Sequence, residues 1–364
     1  ARFTDARTVE VDGVTIRARR FVLATGSRPA VPPIPGLEGT PHLTNETVFD
    51  LAERPRRLVV IGGGPIGVEI AQAMRRLGAE VVIVEADRLL PRDDPEMAAV
   101  VARSLARDGI EVRAGASVAL VEGEAGAVRV ALAGGNGEAG ETIEGSHLLV
   151  AAGREPVTED LGLEVAGIAV EGGAIRVDRG LRTSNRRVFA IGDCAGGGTG
   201  DYRFTHAANA QAGVVIRRAL FRLPARFDSR VLPRVTYTDP ELASVGLSEE
   251  EARREVRDLR ILRWPVAEND RAQAERTVDG HVKALVDRKG RILGCAIAAP
   301  RAGDLIVPWA LLMQRGGTVG DLAGLVFPYP TLSEISKRAA VEHLRPAARG
   351  GGVRRLLSIL RRLG

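Results

Sequence analysis

The 364-residue sequence has little cysteine: Cys194 and Cys295 stand alone, 101 residues apart. That count excludes a disulphide framework and a cysteine-rich zinc site, and it fits a reducing, cytoplasmic compartment. The five histidines are scattered with no metal-ligand spacing. No run approaches the ~20 apolar residues that a membrane span needs. Lysine is nearly missing too: of 51 basic residues only Lys283, Lys289 and Lys337 are lysine. The formal charge of +5 looks basic, yet Arg345, Arg349, Arg354, Arg355, Arg361 and Arg362 all follow the last acid, Glu342, and by themselves outweigh that excess. The body of the chain has no basic surplus, so nucleic-acid binding lacks compositional support. What remains, 45% hydrophobic and 27% charged residues, is ordinary for two or three globular domains.

Against that background one stretch, residues 58–91, is strongly ordered. An apolar β-branched run (58–61) meets Gly62, Gly63 and Gly64, and Pro65 opens a helix whose apolar residues include Ile66, Ile70, Ala73, Met74 and Leu77. Gly78 stops that helix, and a second β-branched run (81–84) ends in Glu85. Strand, glycine turn, helix and strand read as a βαβ dinucleotide-binding unit. Gly62 suits the tight turn, Gly64 lets the backbone approach a pyrophosphate, and Gly67 lets the helix pack on the strand. The helix N-terminus then offers unpaired N–H groups to the phosphates. Glu85, 23 residues beyond Gly62, stands where a carboxylate bonds ribose hydroxyls.

The flanking segments divide the chain. Alternation around Asp12-Gly13 predicts a hairpin, and the run ends in Ala24-Thr25-Gly26-Ser27-Arg28-Pro29. Residues 151–156, Ala-Ala-Gly-Arg-Glu-Pro, repeat that ending after the dinucleotide unit. The echo predicts that residues 1–36 are the last part of a second dinucleotide domain whose phosphate loop precedes Ala1, and hence that this chain binds the dinucleotide of that domain poorly. Residues 37–155 read as the nucleotide domain, with a capped helix from Asp94-Pro95-Glu96, short strands, and a loop at 134–140. In 156–222, a buried strand delivers Gly192-Asp193 into a loop, and a helix starts near Thr205-His206. Residues 223–345 alternate strands (234–237, 260–266, 281–287, 292–298) with helices (248–255, 305–315). The basic stretch 346–364 pairs a glycine hinge, 350–352, with arginines flanking Leu356, Leu357, Ile359 and Leu360. It reads as a frayed, solvated end, with contact to an anionic membrane surface as the alternative.

Seven segments in order, VLATGSRP, VVIGGGPIGVE, AAGREP, VFAIGDCA, FTHAANAQAG, VTYTDPELASVG and FPYPTLSE, resemble the flavoprotein pyridine nucleotide-disulphide oxidoreductases, in the branch that holds mercuric reductase and dihydrolipoamide dehydrogenase. The resemblance implies an α/β fold: two Rossmann-like dinucleotide domains, the FAD one incomplete here, and a C-terminal α+β dimerisation domain. It implies that Thr25, Gly26, Ser27, Asp193, Thr205 and His206 lie beside FAD. It sets Gly62, Gly63, Gly64, Pro65, Ile66, Gly67, Val68, Glu69, Glu85, Val118 and Gly153 around the nicotinamide nucleotide. It assigns Tyr329 and Glu334 to catalysis across a homodimer, with tyrosine where disulphide reductases of the family carry histidine. That departure argues against lipoamide-type proton shuttling.

The sequence therefore predicts an enzyme that passes hydride from NADH, rather than NADPH, through FAD to a small-molecule or metal-ion acceptor, with no resident metal. A redox cysteine pair is implied only for the full chain. A flavin transhydrogenase or diaphorase, dihydrolipoamide dehydrogenase, and a bare nucleotide-binding, dimerising fragment are the alternatives. Arg88 is the residue that weighs against NADH.

Overall fold

The computed structural model describes residues 1–134, 139–197, 203–348 and 351–362. They form two compact units, Ala1–Pro32 with Ala152–Leu232, and Pro33–Ala151 with Pro233–Gly364.

In the first unit, strands Arg2–Asp5, Thr8–Val11 and Val14–Arg17 form an antiparallel meander. Asp12 and Gly13 turn its second hairpin with φ of 50° and 77°, both in the left-handed region that an Asp-Gly pair adopts most readily. Strand Phe21–Leu23 runs parallel to Val188–Ala190, and the latter is wholly buried beside Ile175, Val177, Leu181 and Cys194. The two echoed endings pair with each other: Ser27–Pro29 lies antiparallel to Arg154–Pro156, with Arg28 opposite Glu155. Each follows a glycine of positive φ, Gly26 at 72° and Gly153 at 127°. The repeated residues are thus two halves of one small ladder.

The second unit contains a parallel sheet in the order His147–Val150, Arg57–Ile61, Glu80–Glu85, Glu111–Ala114. Residues 58–61, 81–84 and 148–150 of its strands are apolar and buried because both faces are covered: helices Pro65–Arg76 and Pro95–Arg107 pack on one side, and an antiparallel meander on the other. The second helix starts as its sequence predicts, with Asp94 accepting the Glu96 N–H at 2.9 Å. The meander comprises Val118–Glu124, Ala127–Ala133 and Ala139–Gly145. Its third strand corrects the sequence reading, which had a loop at 134–140 and no strand between it and the one at 147–151; residues 135–138 lie outside the described residues. Only Ile143 marks this strand as buried, and pairing with 128–131 supplies what alternation does not.

The same unit holds a five-stranded antiparallel sheet, ordered Arg234–Thr236, Glu241–Gly246, Ile292–Ala299, His281–Val286, Arg260–Pro265. Glu241–Gly246 was not read as a strand, yet it is internal and pairs on both sides. It follows the cis Asp239-Pro240 bond and is too short to show a period. Helices Val307–Arg315 and Glu334–Ala348 close this core around Trp309, whose Nε1–H donates to Ser336 Oγ at 3.0 Å. Residues 351–360 correct the frayed-end reading, because Gly351–Leu360 is a helix. The Gly351-Gly352 part of the expected hinge lies inside it, and residue 350 lies outside the described residues.

Candidate dinucleotide and flavin sites

The phosphate turn depends on glycine most at Gly62 and Gly67. Gly62 takes φ 112° and donates its N–H to Val84 O at 2.9 Å, tying the turn to the next strand. A Cβ on Gly67 would lie 1.9 Å from Gly62 O, and one on Gly63 would lie 2.6 Å from Leu89 Cδ2. Around Gly64 the reverse holds: no atom lies within 4 Å of the space a side chain would fill. Gly64 is the N-cap of helix Pro65–Arg76, with no side-chain cap and no acid in the first turn. The leading N–H groups at Ile66 and Gly67 therefore face an open cradle at the positive end of the helix dipole. Val68 and the residues after it are inside the helix, Val68 donating to Gly64 O at 3.0 Å. This cradle fits a pyrophosphate.

Glu85 stands beside the turn. Its Oε2 accepts the Gly63 N–H at 2.6 Å and its Oε1 the Asp87 N–H at 2.9 Å, so the carboxylate is oriented before any ligand arrives. Ala116 N–H donates to Glu85 O at 3.0 Å, which brings the start of the strand containing Val118 to the same end of the sheet. Arg88 points elsewhere: its guanidinium donates to Leu89 O (3.5 Å), Leu90 O (3.1 Å), Pro91 O (2.7 Å) and Asp93 O (2.7 Å). Gly153 belongs to the other unit, where its carbonyl accepts the Ala30 N–H at 3.0 Å.

Two residues on the phosphate helix seat it against the antiparallel sheet. Glu69 accepts the Tyr237 N–H at 2.8 Å, and burial raises its pKa despite that bond. Buried Gln72 exchanges two hydrogen bonds with the Asp239 backbone, 2.8 and 3.1 Å, and Ser104 Oγ adds a third at 2.5 Å. Gln72, Ser104 and Asp239 were missed by sequence reasoning. Their partners are separated by 135 to 167 residues, so no local pattern marks them.

In the first unit Asp193 sits in the tight turn Gly192–Cys194. Ser27 Oγ donates to Asp193 Oδ2 at 2.6 Å, and Arg154 Nε donates to Ser27 Oγ at 2.7 Å and stands 4.0 Å from the same carboxylate. Buried Gln211 fixes the turn by accepting the Gly192 N–H at 2.7 Å. Thr25 Oγ1 donates to Val157 O at 2.6 Å. The Gly26 side-chain space is open, and the 15-residue helix Thr205–Ala219 starts without a side-chain cap. Thr205 and His206 are exposed there, the His206 ring stacked on Phe204 at 5.2 Å. An oriented carboxylate, an open glycine and an uncapped helix end fit a flavin nucleotide. Sequence reasoning missed Arg154, although the arginine of each echoed ending was the available signal. Cys194 and Cys295 are buried, and burial pushes the Cys295 thiol well up, so neither suits thiolate chemistry.

Tyr329 is 70% exposed, held between Pro328 and Pro330, and its hydroxyl donates to Asp270 Oδ2 at 2.9 Å. That bond, with the Asp270 charge, raises the tyrosine pKa, so the group is a donor at neutral pH and not a base. Glu334 begins helix Glu334–Ala348. Thr331 Oγ1 donates to Pro328 O at 2.7 Å, and Asn269 Nδ2 donates to Thr331 O at 3.0 Å, which together fix the loop. Among the described residues no cluster of three His, Cys, Asp or Glu side chains could hold a metal ion, and no helix is long and apolar enough to cross a membrane.

Residues 1–212 match the family model described as pyridine nucleotide-disulphide oxidoreductase, and residues 232–340 match the dimerisation domain of that family. Over 344 residues the chain is 37% identical to mercuric reductase of Lysinibacillus sphaericus, covering 94% of this chain and 62% of that one. It is 38% identical over 350 residues to dihydrolipoyl dehydrogenase of Thermus scotoductus, covering 93% and 73%. The chain therefore spans less than two thirds of the mercuric reductase it matches. The solved HOCl-induced flavoprotein disulfide reductase RclA from Escherichia coli superposes with a TM-score of 0.82 at 30% identity, covering 93% of this chain and 77% of that one.

Proposed function

This chain belongs to the pyridine nucleotide-disulphide oxidoreductase family, and from that premise we propose that the whole protein is a homodimeric, mercuric-reductase-like flavoenzyme. It passes hydride from NADH through FAD to a small-molecule or metal-ion acceptor. The observation that carries the reading is the phosphate turn, where the open space at Gly64 meets an uncapped helix end with Glu85 already oriented beside it.

When bound, the nucleotide supplies the hydride and the flavin accepts it. The residues of the chain bind and orient. The N–H groups at Ile66 and Gly67 attract the pyrophosphate charge, and the Glu85 carboxylate accepts from the ribose diol. A 2′-phosphate would bring a second negative group against Glu85, and Arg88 has given its guanidinium to four carbonyls; both support NADH over NADPH. In the other unit Asp193, oriented through Ser27 and Arg154, accepts from flavin ribityl hydroxyls, while the N-terminal N–H groups near Thr205 and His206 face the same cofactor. Tyr329 keeps its proton, and its exposed hydroxyl can release Asp270 and turn that one hydrogen bond to the acceptor, which speaks for the mercuric-reductase-like reading over a lipoamide one.

The reading is tested by calorimetric titration of the full-length protein with each nucleotide. NADH is expected to bind at least about tenfold more tightly than NADPH, a difference of ~1.4 kcal/mol, and Glu85→Ala to erase most of the gap. Tighter binding of NADPH by the unaltered protein rejects the role given to Glu85.

A further inference from the structure

The helix Gly351–Leu360 has no role in either nucleotide site, and it joins exposed apolar residues to arginines. On the helical period Val353, Leu356, Leu357, Ile359 and Leu360 fall on one side. Arg354, Arg355 and Ser358 fall on the other, and Arg361 and Arg362 extend that side, since Arg361 N–H still donates to Leu357 O at 3.0 Å. The apolar side is not covered: Leu356, Leu357, Ile359 and Leu360 are 48–55% exposed, and only Val353 is partly shielded. No acid follows Glu342 in the sequence, and Glu342 is itself paired with Arg345 at 2.6 Å. Arg355, Arg361 and Arg362 on that side thus have no acid in their own segment.

We propose that this helix docks the protein on an anionic phospholipid surface. A helix of ten residues is ~15 Å long, shorter than the ~12–15 residues at which isolated helices become even marginal in water. Two glycines at its start weaken it further. Its apolar side therefore calls for a partner, and the arginines select which one. A bilayer boundary takes the leucines among its acyl chains while the headgroup phosphates meet Arg355, Arg361 and Arg362. A duplex nucleic acid would engage the arginines but leave the leucines in water. A second copy of so short a helix would bring like-charged flanks together over far less than the ~1,000 Å² of a specific interface.

Flotation of the full chain with vesicles provides the test. Binding is expected to vesicles of phosphatidylcholine mixed with phosphatidylglycerol, not to phosphatidylcholine alone, and to fade as salt rises. At about fivefold per basic residue removed, the triple change Arg355→Glu, Arg361→Glu, Arg362→Glu lowers the partition coefficient at least a hundredfold. Leu356→Ser with Leu360→Ser lowers it while leaving the tryptophan-fluorescence melt unchanged. Equal binding to neutral vesicles, or none to anionic ones, overturns the proposal. So does tighter binding to duplex DNA than to vesicles, a lower melting temperature in the serine variant, or a change in its lipid-free sedimentation coefficient, which would show the leucines already covered by the fold or by a second copy.

Discussion

Replacing Lys283 with methionine removes one cation from the centre of a cluster that ties the nucleotide part of the second unit to its antiparallel sheet. The side chain is 5% exposed, and Nζ lies 2.7 Å from Asp94 Oδ2, 2.7 Å from Glu249 Oε2 and 3.0 Å from Glu96 Oε2. The three acids differ in what they keep. Glu96 retains Arg263, with two bonds at 2.8 Å, and Glu249 retains Arg253 at 2.9 Å. Asp94 keeps the Glu96 N–H on Oδ1 but loses the one cation on Oδ2. Leaving a buried charge unpaired costs about 3–5 kcal/mol. Because the helix N-terminus still favours Asp94, the lower figure, about 3 kcal/mol, is expected. For a unit of this size that is a fall in Tm of roughly 6–12 °C. Both tryptophans, Trp264 and Trp309, lie in this unit, so their fluorescence reports its unfolding without the other. Adding Asp94→Asn keeps the helix cap, removes the stranded charge, and is expected to restore more than half of the loss. A loss below ~1 kcal/mol, or no recovery in the double variant, refutes the assignment of the cost to Asp94.

The same cluster sets an acid limit. Arg263, more than Lys283, holds the Glu96 carboxyl down from 4.5 to about 2 against the opposing effect of burial, and Lys283 lowers Glu249. Depressed carboxylates stabilise above their unfolded pKa and lose that contribution as pH falls through the folded value, so Tm should drop between about pH 4.5 and 2. Burial pulls Lys283 down, but its three carboxylate bonds leave it raised; its share is complete below 10.5 and is lost only as pH climbs through the raised value. A Tm that is flat from pH 5 to 2.5 would contradict this. Gly67→Ala places a Cβ 1.9 Å from Gly62 O and is expected to cost ~3 kcal/mol or more together with NADH affinity; titration and a melt close to the parent's would show that the turn can yield. Tyr329→Phe should slow acceptor reduction by about tenfold or more and leave flavin reduction by NADH nearly intact. Stopped-flow traces in which both half-reactions slow alike, or neither slows, reject the donor role.

Much of the local structure was legible before any coordinates. The Asp12-Gly13 hairpin, the glycine turn with its helix and strand, and the Asp94 cap depend on residues within a few positions of one another. Backbone sterics and short-range hydrogen bonds are enough to specify them. The carboxylate ending the second strand was readable for the same reason, since one βαβ crossover has a nearly constant length.

Partner choice across the chain was not legible. Glu241–Gly246 becomes an internal strand only because Arg234–Thr236 and Ile292–Ala299 flank it, and Ala139–Gly145 pairs with a strand whose apolar alternation it does not share. Asp270 reaches Tyr329 across 59 residues, Ser27 reaches Asp193 across 166, and Lys283 reaches Asp94 across 189. Nothing in local propensity distinguishes these side chains from solvated ones, since an aspartate or lysine has the same short-range preferences whether it is paired or free. Their chemistry was decided by the tertiary fold, which alone sets the burial and the neighbours that orient a carboxylate, hold a proton on a tyrosine, or keep a lysine charged inside a protein.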